Sequence, residues 1–329
     1  MKKTEQPKRK KVLVTGATGF IGKEIVRACL AEDFDVVPAG NSKEQESNWS
    51  TYVRADLTVP DALSSVLDDV DCVVHSAGLA HQFKATKADE LFRKINADAV
   101  EYVARSVAQA GVKHFVLISS VAVYGENAKD KPDEESQCNP RGAYATSKLE
   151  GEKRAVEICE AAKMRLTVLR PVAVYGEGDR GNVARLMRMI ESGRFVFVGN
   201  GSNKKCLIHV SDVARACLAV IKSDGEGIEI YNVSSEPCTM REIVEEITDS
   251  LDQRAPRIFV PSWLALPPLK IAAKLTYRFE PLKTTLEKWL SDDIFDGNKF
   301  ERDFNFQPAI SLGEGLKREV DWLKRNKEQ

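Results

Sequence analysis

Val12-Leu13-Val14-Thr15-Gly16-Ala17-Thr18-Gly19-Phe20-Ile21-Gly22 decides the fold. A short apolar run ends at a glycine and reads as a buried strand, and Ile21, Ile25 and Cys29 then recur at helical spacing. Between them Gly16, Gly19 and Gly22 keep the spacing G-x-x-G-x-x-G. Such a loop gives a tight turn, lets a pyrophosphate approach backbone N–H groups and lets helix pack close to strand. The helix N-terminus adds partial positive charge for the phosphates. Taken alone, glycines in a turn also suit a purely structural corner. The strand–turn–helix setting and Asp56 downstream favour a dinucleotide, with Gly16, Thr18, Gly19, Phe20, Ile21 and Gly22 as its contacts.

The same rhythm continues outward. Val36-Val37, Asp71 to His75, His114 to Ile118 and Leu166 to Leu169 read as strands. Helical patterns run from Ile95 to Ala110 and from Lys148 to Ala162. Strands alternating with helices predict an α/β fold with a parallel, doubly wound sheet and right-handed crossovers. The rhythm changes after Gly178. Gly199-Asn200-Gly201 marks a turn, and Thr239-Met240-Arg241-Glu242 has the capping-box form. Residues 1–178 are therefore expected to hold the cofactor. Residues 179–329 are expected to form a smaller C-terminal substrate-binding domain, with 205–222 packing back on the first.

A net charge of -1 over 329 residues provides no field for nucleic acid or an anionic membrane. The N-terminus is polar, without the apolar core of a signal peptide. Trp263 to Leu275 is greasy but interrupted by Pro267, Pro268, Lys270 and Lys274, too short for a membrane span. A lid or core helix is the default for it, with a dimer contact or membrane-surface helix as alternatives. Seven scattered cysteines, none in a C-x-x-C pair, read as reduced thiols of a cytoplasmic protein. No cluster has metal-ligand spacing, so no metal is expected. His75 and His209 fall on strand-like positions and suit structural roles, and His81 is a candidate substrate contact.

Tyr144 and Lys148 stand four apart and share a helix face. A lysine ammonium beside a tyrosine is expected to lower the phenol pKa, so that it serves as general base or acid. Ser120, in the turn after a strand, would hydrogen-bond the same reacting oxygen. The second strand ends near Gly40, where dinucleotide sites ordinarily place an acid on the ribose. Lys43 suits a 2′-phosphate but no arginine joins it, so NAD is set ahead of NADP with both left open.

Together these motifs resemble the extended short-chain dehydrogenase/reductase family, in its nucleotide-sugar epimerase and dehydratase group, along nearly the whole chain. The resemblance implies a Rossmann-type fold and a catalytic set of Ser120, Tyr144 and Lys148. It likens Asp56-Leu57 to an adenine contact, Ala77 to a cofactor-lining strand end, Asn96 to a central-helix asparagine and Pro171 to a neighbour of the nicotinamide. Ile208 to Ala214, Asp296 to Lys299 and Phe304 to Phe306 are similar to other family segments. The implied reaction removes the proton of a sugar 4-hydroxyl while hydride passes to the nicotinamide and returns on the other face.

Dehydratases of this family carry Asp-Glu after the catalytic hydroxyl residue, whereas this chain has Val121 and Ala122. Elimination is therefore not expected. A UDP-hexose or UDP-N-acetylhexosamine 4-epimerase leads, with a reductase of UDP-4-keto-6-deoxy sugars beside it. A hydroxysteroid- or flavonoid-type dehydrogenase and a cofactor sensor without catalysis are weaker alternatives. Ser120, Val121, Asn182 and Lys205 are the expected substrate contacts, the last two against a plain surface role. Ala173 and Lys205 stand where UDP-galactose epimerases ordinarily carry asparagine and arginine, and lysine lacks the bidentate fork. The resemblance also implies a homodimer through the helices at 95–110 and 148–162.

Overall fold

Strand β1 (Lys11–Thr15) alternates its side chains, Val12 and Val14 to one face and Leu13 to the other, all three fully buried. A strand covered on both faces belongs inside a parallel sheet. In the computed structural model, which describes residues 9–43, 49, 51–80, 88–125, 131–256, 258–276 and 286–327, it occupies that place. The other strands are β2 (Asp35–Gly40), β3 (Val53–Arg54), β4 (Cys72–His75), β5 (His114–Ile118), β6 (Arg165–Pro171) and β7 (Ala173–Tyr175). After them come β8 (Phe197–Val198), β9 (Lys204–Lys205), β10 (Leu207–His209), β11 (Ile228–Val233), β12 (Cys238–Thr239) and β13 (Phe259–Val260).

Seven of these form one sheet in the order β11-β6-β5-β4-β1-β2-β3, parallel throughout. This is the doubly wound Rossmann-type architecture expected from the sequence. Helices α1 (Phe20–Ala31) and α6 (Val210–Lys222) pack together on one face. Helices α3 (Ala99–Gln109) and α4 (Gly142–Ala162) cover the other. So α6 returns to the sheet, and β11 goes further by pairing with β6 along its length, from Ile228 beside Leu166 to Val233 beside Pro171. The sequence pattern had indicated no strand there.

A third apolar cluster lies apart from the sheet. It gathers α5 (Asn182–Glu191), α7 (Met240–Ser250) and the C-terminal helix Leu312–Lys327 around Met187, Ile243, Ile247, Leu316 and Val320. The capping box at Thr239 is present. Its hydroxyl accepts the Glu242 N–H at 3.1 Å, and Glu242 accepts the Thr239 N–H at 2.6 Å. The short β8 pairs with β13, which leads into helix α8 (Ser262–Leu275).

Helix α2 (Ala88–Arg93) runs into α3 through one π turn, Lys94–Asp98, so the helical stretch begins earlier than the sequence pattern indicated. The π turn presents the buried Asn96 toward Leu79, beyond β4, and Ser147 of α4. Gly151 of α4 passes so close that a Cβ there would meet the Asn96 carbonyl oxygen at 2.2 Å. Alanine is worth about 1 kcal/mol over glycine in a helix interior, while forcing backbones apart costs about 1–3 kcal/mol. Gly151→Ala should therefore destabilise the protein despite its better helix propensity, seen as a lower Tm in a thermal melt. An unchanged or higher Tm would mean the two helices have room to separate.

Candidate active site

The carboxyl ends of β1, β4, β5 and β6 deliver the site to one edge of the sheet, where open α/β sheets bind ligands. β1 runs out into the glycine loop. Gly16 has φ +66°, and a side chain there would press on the Ala77 backbone at 2.6 Å. A Cβ on Gly22 would meet the Gly16 carbonyl oxygen at 2.2 Å. Gly19 caps α1 with no side-chain hydrogen bond, leaving the N–H groups of the first turn to other partners. A bare helix end behind a loop with no space for side chains fits the diphosphate of a dinucleotide. Phe20 faces the segment after β7, 3.9 Å from where a Gly178 Cβ would stand, and Ile21 is half-buried beside it.

The structure gives a physical reason for the missing acid at the end of β2. A Cβ on Gly40 would meet the Tyr52 hydroxyl at 3.0 Å. That hydroxyl donates to the Ser42 carbonyl at 3.1 Å. Lys43 is exposed beyond it. Asp56 turns its carboxylate back on Thr58, accepting the N–H at 3.0 Å and the hydroxyl at 2.7 Å. Those bonds hold its pKa below the usual carboxylate range. Leu57 is buried beside it, and Pro171 is buried at the end of β6.

Ser120, Tyr144 and Lys148 come together. Ser120 opens the 3-10 turn Val121–Tyr124, its hydroxyl accepting the Ala122 N–H at 3.2 Å. That hydroxyl also stands beside the Tyr144 phenol, close enough to lower its pKa. Tyr144 stands in the first turn of α4, edge-on to Phe92 at 6.1 Å. Lys148 comes one turn later. Its ammonium is buried, donates to the Ile118 carbonyl at 2.7 Å and lies 3.5 Å from where a Gly78 Cβ would stand. Burial pulls its pKa down to about 8, while the charge of Glu152 works the other way.

One expectation is corrected here. Lys148 was expected to lower the phenol pKa of Tyr144. The pKa is raised instead, because burial outweighs the lowering by the nearby Ser120 hydroxyl, and Lys148 is turned to a backbone carbonyl.

Sequence reasoning missed Glu152, which ties the group together. Its buried carboxylate accepts the Ser119 hydroxyl and lies across the Arg170 guanidinium, with Nε at 3.1 Å and Nη2 at 2.6 Å. Arg170 also donates to the Tyr124 hydroxyl at 2.9 Å, and that hydroxyl donates to Asn232 Oδ1 at 2.8 Å. The available signal was the spacing: Glu152 lies four beyond Lys148, on the same helix face. Asn96 fixes the other side. It bonds Leu79 twice, accepting the N–H at 2.8 Å and donating to the carbonyl at 3.0 Å, and donates to the Ser147 hydroxyl at 3.1 Å.

The expected substrate contacts spread over a wider area. Val121 is buried at the start of its turn. Asn182 is exposed at the start of α5, where Asp179 accepts the N–H groups of Gly181 at 2.6 Å and Ala184 at 3.3 Å. Lys205 points inward, to Asp293 at 2.6 Å and the Lys288 carbonyl at 2.6 Å, and burial lowers its pKa. His75 is buried against the Thr15 hydroxyl at 2.9 Å, and burial takes its pKa down to about 3. His209 caps α6 through Nδ1, with Nε2 3.1 Å from Glu177. His81 lies outside the described residues.

Residues 12–234 match the model of the NAD dependent epimerase/dehydratase family. The chain belongs to that family. A member from Escherichia coli O157:H7, an N-acetyl-alpha-D-glucosaminyl-diphospho-ditrans,octacis-undecaprenol 4-epimerase, is 29% identical over 94% of both chains. A UDP-glucose 4-epimerase from Vibrio cholerae is 28% identical over 77% of this chain and 80% of its own. Among solved structures, a UDP-glucuronic acid 4-epimerase from Bacillus cereus, in complex with UDP-glucuronic acid and NAD, superposes with a TM-score of 0.78 at 22% identity. That match covers 96% of this chain and 99% of the other. In this epimerase/dehydratase-family site, the charge of Glu152 raises the Lys148 pKa against the burial that pulls it down. Glu152→Gln should bring the Lys148 pKa below about 8 in an NMR titration of the lysine side chain. It should also lower the Tm, since an unpaired buried charge costs about 3–5 kcal/mol. An unmoved lysine titration would remove Glu152 from that role.

Proposed function

We propose that this chain is an NAD-dependent 4-epimerase of sugar diphosphates, with a UDP-hexose or UDP-N-acetylhexosamine as its small-molecule partner. The observation that carries the reading is Ser120 standing beside the Tyr144 phenol with Lys148 one helical turn on, at the sheet edge reached by the glycine loop. In this reading Tyr144 takes the proton of the sugar 4-hydroxyl and returns it. Ser120 holds the same oxygen, and Lys148 stands one helical turn on, its ammonium donating to the Ile118 carbonyl at 2.7 Å. NAD, when bound, supplies the acceptor for the carbon-bound hydrogen and gives it back. Gly16, Thr18, Gly19, Phe20, Ile21 and Gly22 take its diphosphate. Asp56 and Leu57 take its adenine end, and Ala77, Tyr144, Lys148 and Pro171 its nicotinamide end.

Val121 and Ala122 come directly after the serine, so no carboxyl pair stands there to expel water. That favours epimerisation over elimination. Asn182 and Val121 belong to the substrate side. For Lys205 that role requires release from Asp293. Residues 1–178, with α6 and β11 returning to them, form the cofactor unit, and the remainder of 179–329 forms the substrate unit. A homodimer through α3 and α4 belongs to the same reading.

A second substrate reading has specific support. The relative from Escherichia coli O157:H7 acts on a sugar diphosphate borne by an undecaprenyl lipid, and it aligns over 94% of both chains. A lipid in place of uridine alters only the group beyond the diphosphate and leaves the chemistry at the sugar unchanged.

Proton NMR of the purified protein with UDP-N-acetylglucosamine and UDP-glucose, with no cofactor added, tests the leading reading. Appearance of the C4 epimer is the expected result. Tyr144→Phe should keep the bound NAD and cut turnover by about 10²–10⁴-fold. Turnover equal to the parent would take the general acid–base role away from Tyr144.

A further inference from the structure

Helix α8 carries its apolar residues outward. Trp263, Leu264, Pro267, Pro268 and Ile271 recur at the spacing of one helix face, and all five are exposed. Trp263 is 73% exposed, Ile271 60% and Leu264 53%. Ile258 and Phe259, just upstream, extend the patch at 63% and 44%. The inner side of the helix is the half-buried Ser262, Ala265, Leu266 and Ala272. A core helix, which together with a lid was the default expected from the sequence, would have the opposite arrangement.

Charge selects what covers this face. From Arg254 to Lys288 the sequence carries seven basic residues against two acidic, Glu280 and Glu287, in a chain whose net charge is -1. A second copy would bring the same net positive segment. An anionic lipid surface complements both the apolar face and the net charge of the segment that carries it. Tryptophan is favoured at that depth.

The prolines set the depth. Pro267 and Pro268 have no N–H, so the carbonyls of Trp263 and Leu264 lose their helical donors. Unpaired carbonyls are tolerated in the hydrated headgroup layer and are costly in hydrocarbon. With 14 residues, α8 also falls short of a span. Among the described residues no helix is long and apolar enough to cross a membrane.

The patch connects to the site through the substrate side. α5 begins at Asn182 and leads to β8, β8 pairs with β13 through Phe197 and Phe259, and β13 enters α8. Phe259 stacks on Phe197 at 4.9 Å, with the Arg241 guanidinium 5.2 Å from its ring.

We propose that the exposed face of α8, with Ile258 and Phe259, docks the protein on an anionic lipid bilayer, where the site meets a sugar diphosphate anchored in that bilayer by its lipid. The substrate half of this statement rests on the second reading above. The test is co-sedimentation of the full chain with vesicles of phosphatidylglycerol and phosphatidylethanolamine, and with phosphatidylcholine vesicles alone. The Trp263→Glu/Ile271→Glu double variant is run beside it, its fold checked by circular dichroism and thermal melting. The parent should sediment with the anionic vesicles, less so at high salt or with phosphatidylcholine, and the variant should bind about tenfold less or worse. No sedimentation of the parent, or equal sedimentation of the variant, overturns the proposal. So does a parent dimer that the variant breaks without any vesicle binding, which would assign the face to a second copy. Docking is read without substrate, so it stands or falls separately from which sugar the site turns over.

Discussion

The buried ion pair between Arg170 and Glu152 is the constraint on which the rest of the site depends. Both side chains are almost wholly removed from water, so neither keeps its charge cheaply without the other. Arg170 belongs to the sheet through β6, and Glu152 belongs to α4. Their pairing fixes the rotation of α4 about its axis. Lys148, one turn before Glu152, then points at the end of β5, and Tyr144, one turn earlier still, meets Ser120. The tie continues through Tyr124 and Asn232 to β11 at the sheet edge. Two strands, one turn and one helix are held in register by charges that have nowhere else to go.

The glycine loop imposes the complementary constraint on the other side. At Gly16 and Gly22 the backbone passes too close to its neighbours for any side chain. What results is a surface of N–H groups rather than of functional side chains. A dinucleotide's phosphates placed there would meet main chain, which leaves the ionisable side chains of Tyr144, Lys148 and Glu152 at the far end of the site. The raised phenol pKa of Tyr144 has the same origin: exclusion from solvent is what makes the site selective, and it also penalises the phenolate.

Where sequence and structure agree, the signal was local. An apolar run, a glycine triplet and a Y-x-x-x-K spacing each lie within one turn or one strand, so the doubly wound sheet and the grouping of Ser120, Tyr144 and Lys148 were legible. What was not legible depends on partners far along the chain. The edge strand β11 has no strong alternation of its own, and it is a strand because β6 offers it a free edge. Glu152 takes its role from Arg170, eighteen residues on and on another element. The crowding at Gly40 depends on Tyr52, and the π turn at Asn96 leaves no mark in the hydrophobic period. The outward face of α8 was also hidden, because composition reports that a segment is greasy but not which way it is turned.

The C-terminal helix has a consequence for the order in which the protein is made. Glu319 accepts the Gly176 N–H at 3.0 Å, and Gly315 leaves space for the Tyr175 hydroxyl that a Cβ would meet at 2.4 Å. The segment that leaves β7 toward Asn182 is thus held by a residue 143 positions further along the chain. Synthesis runs from the N-terminus, so the glycine loop and all seven strands of the sheet are made before that brace exists. The sheet can gather first, and the segment toward Asn182 is fastened last.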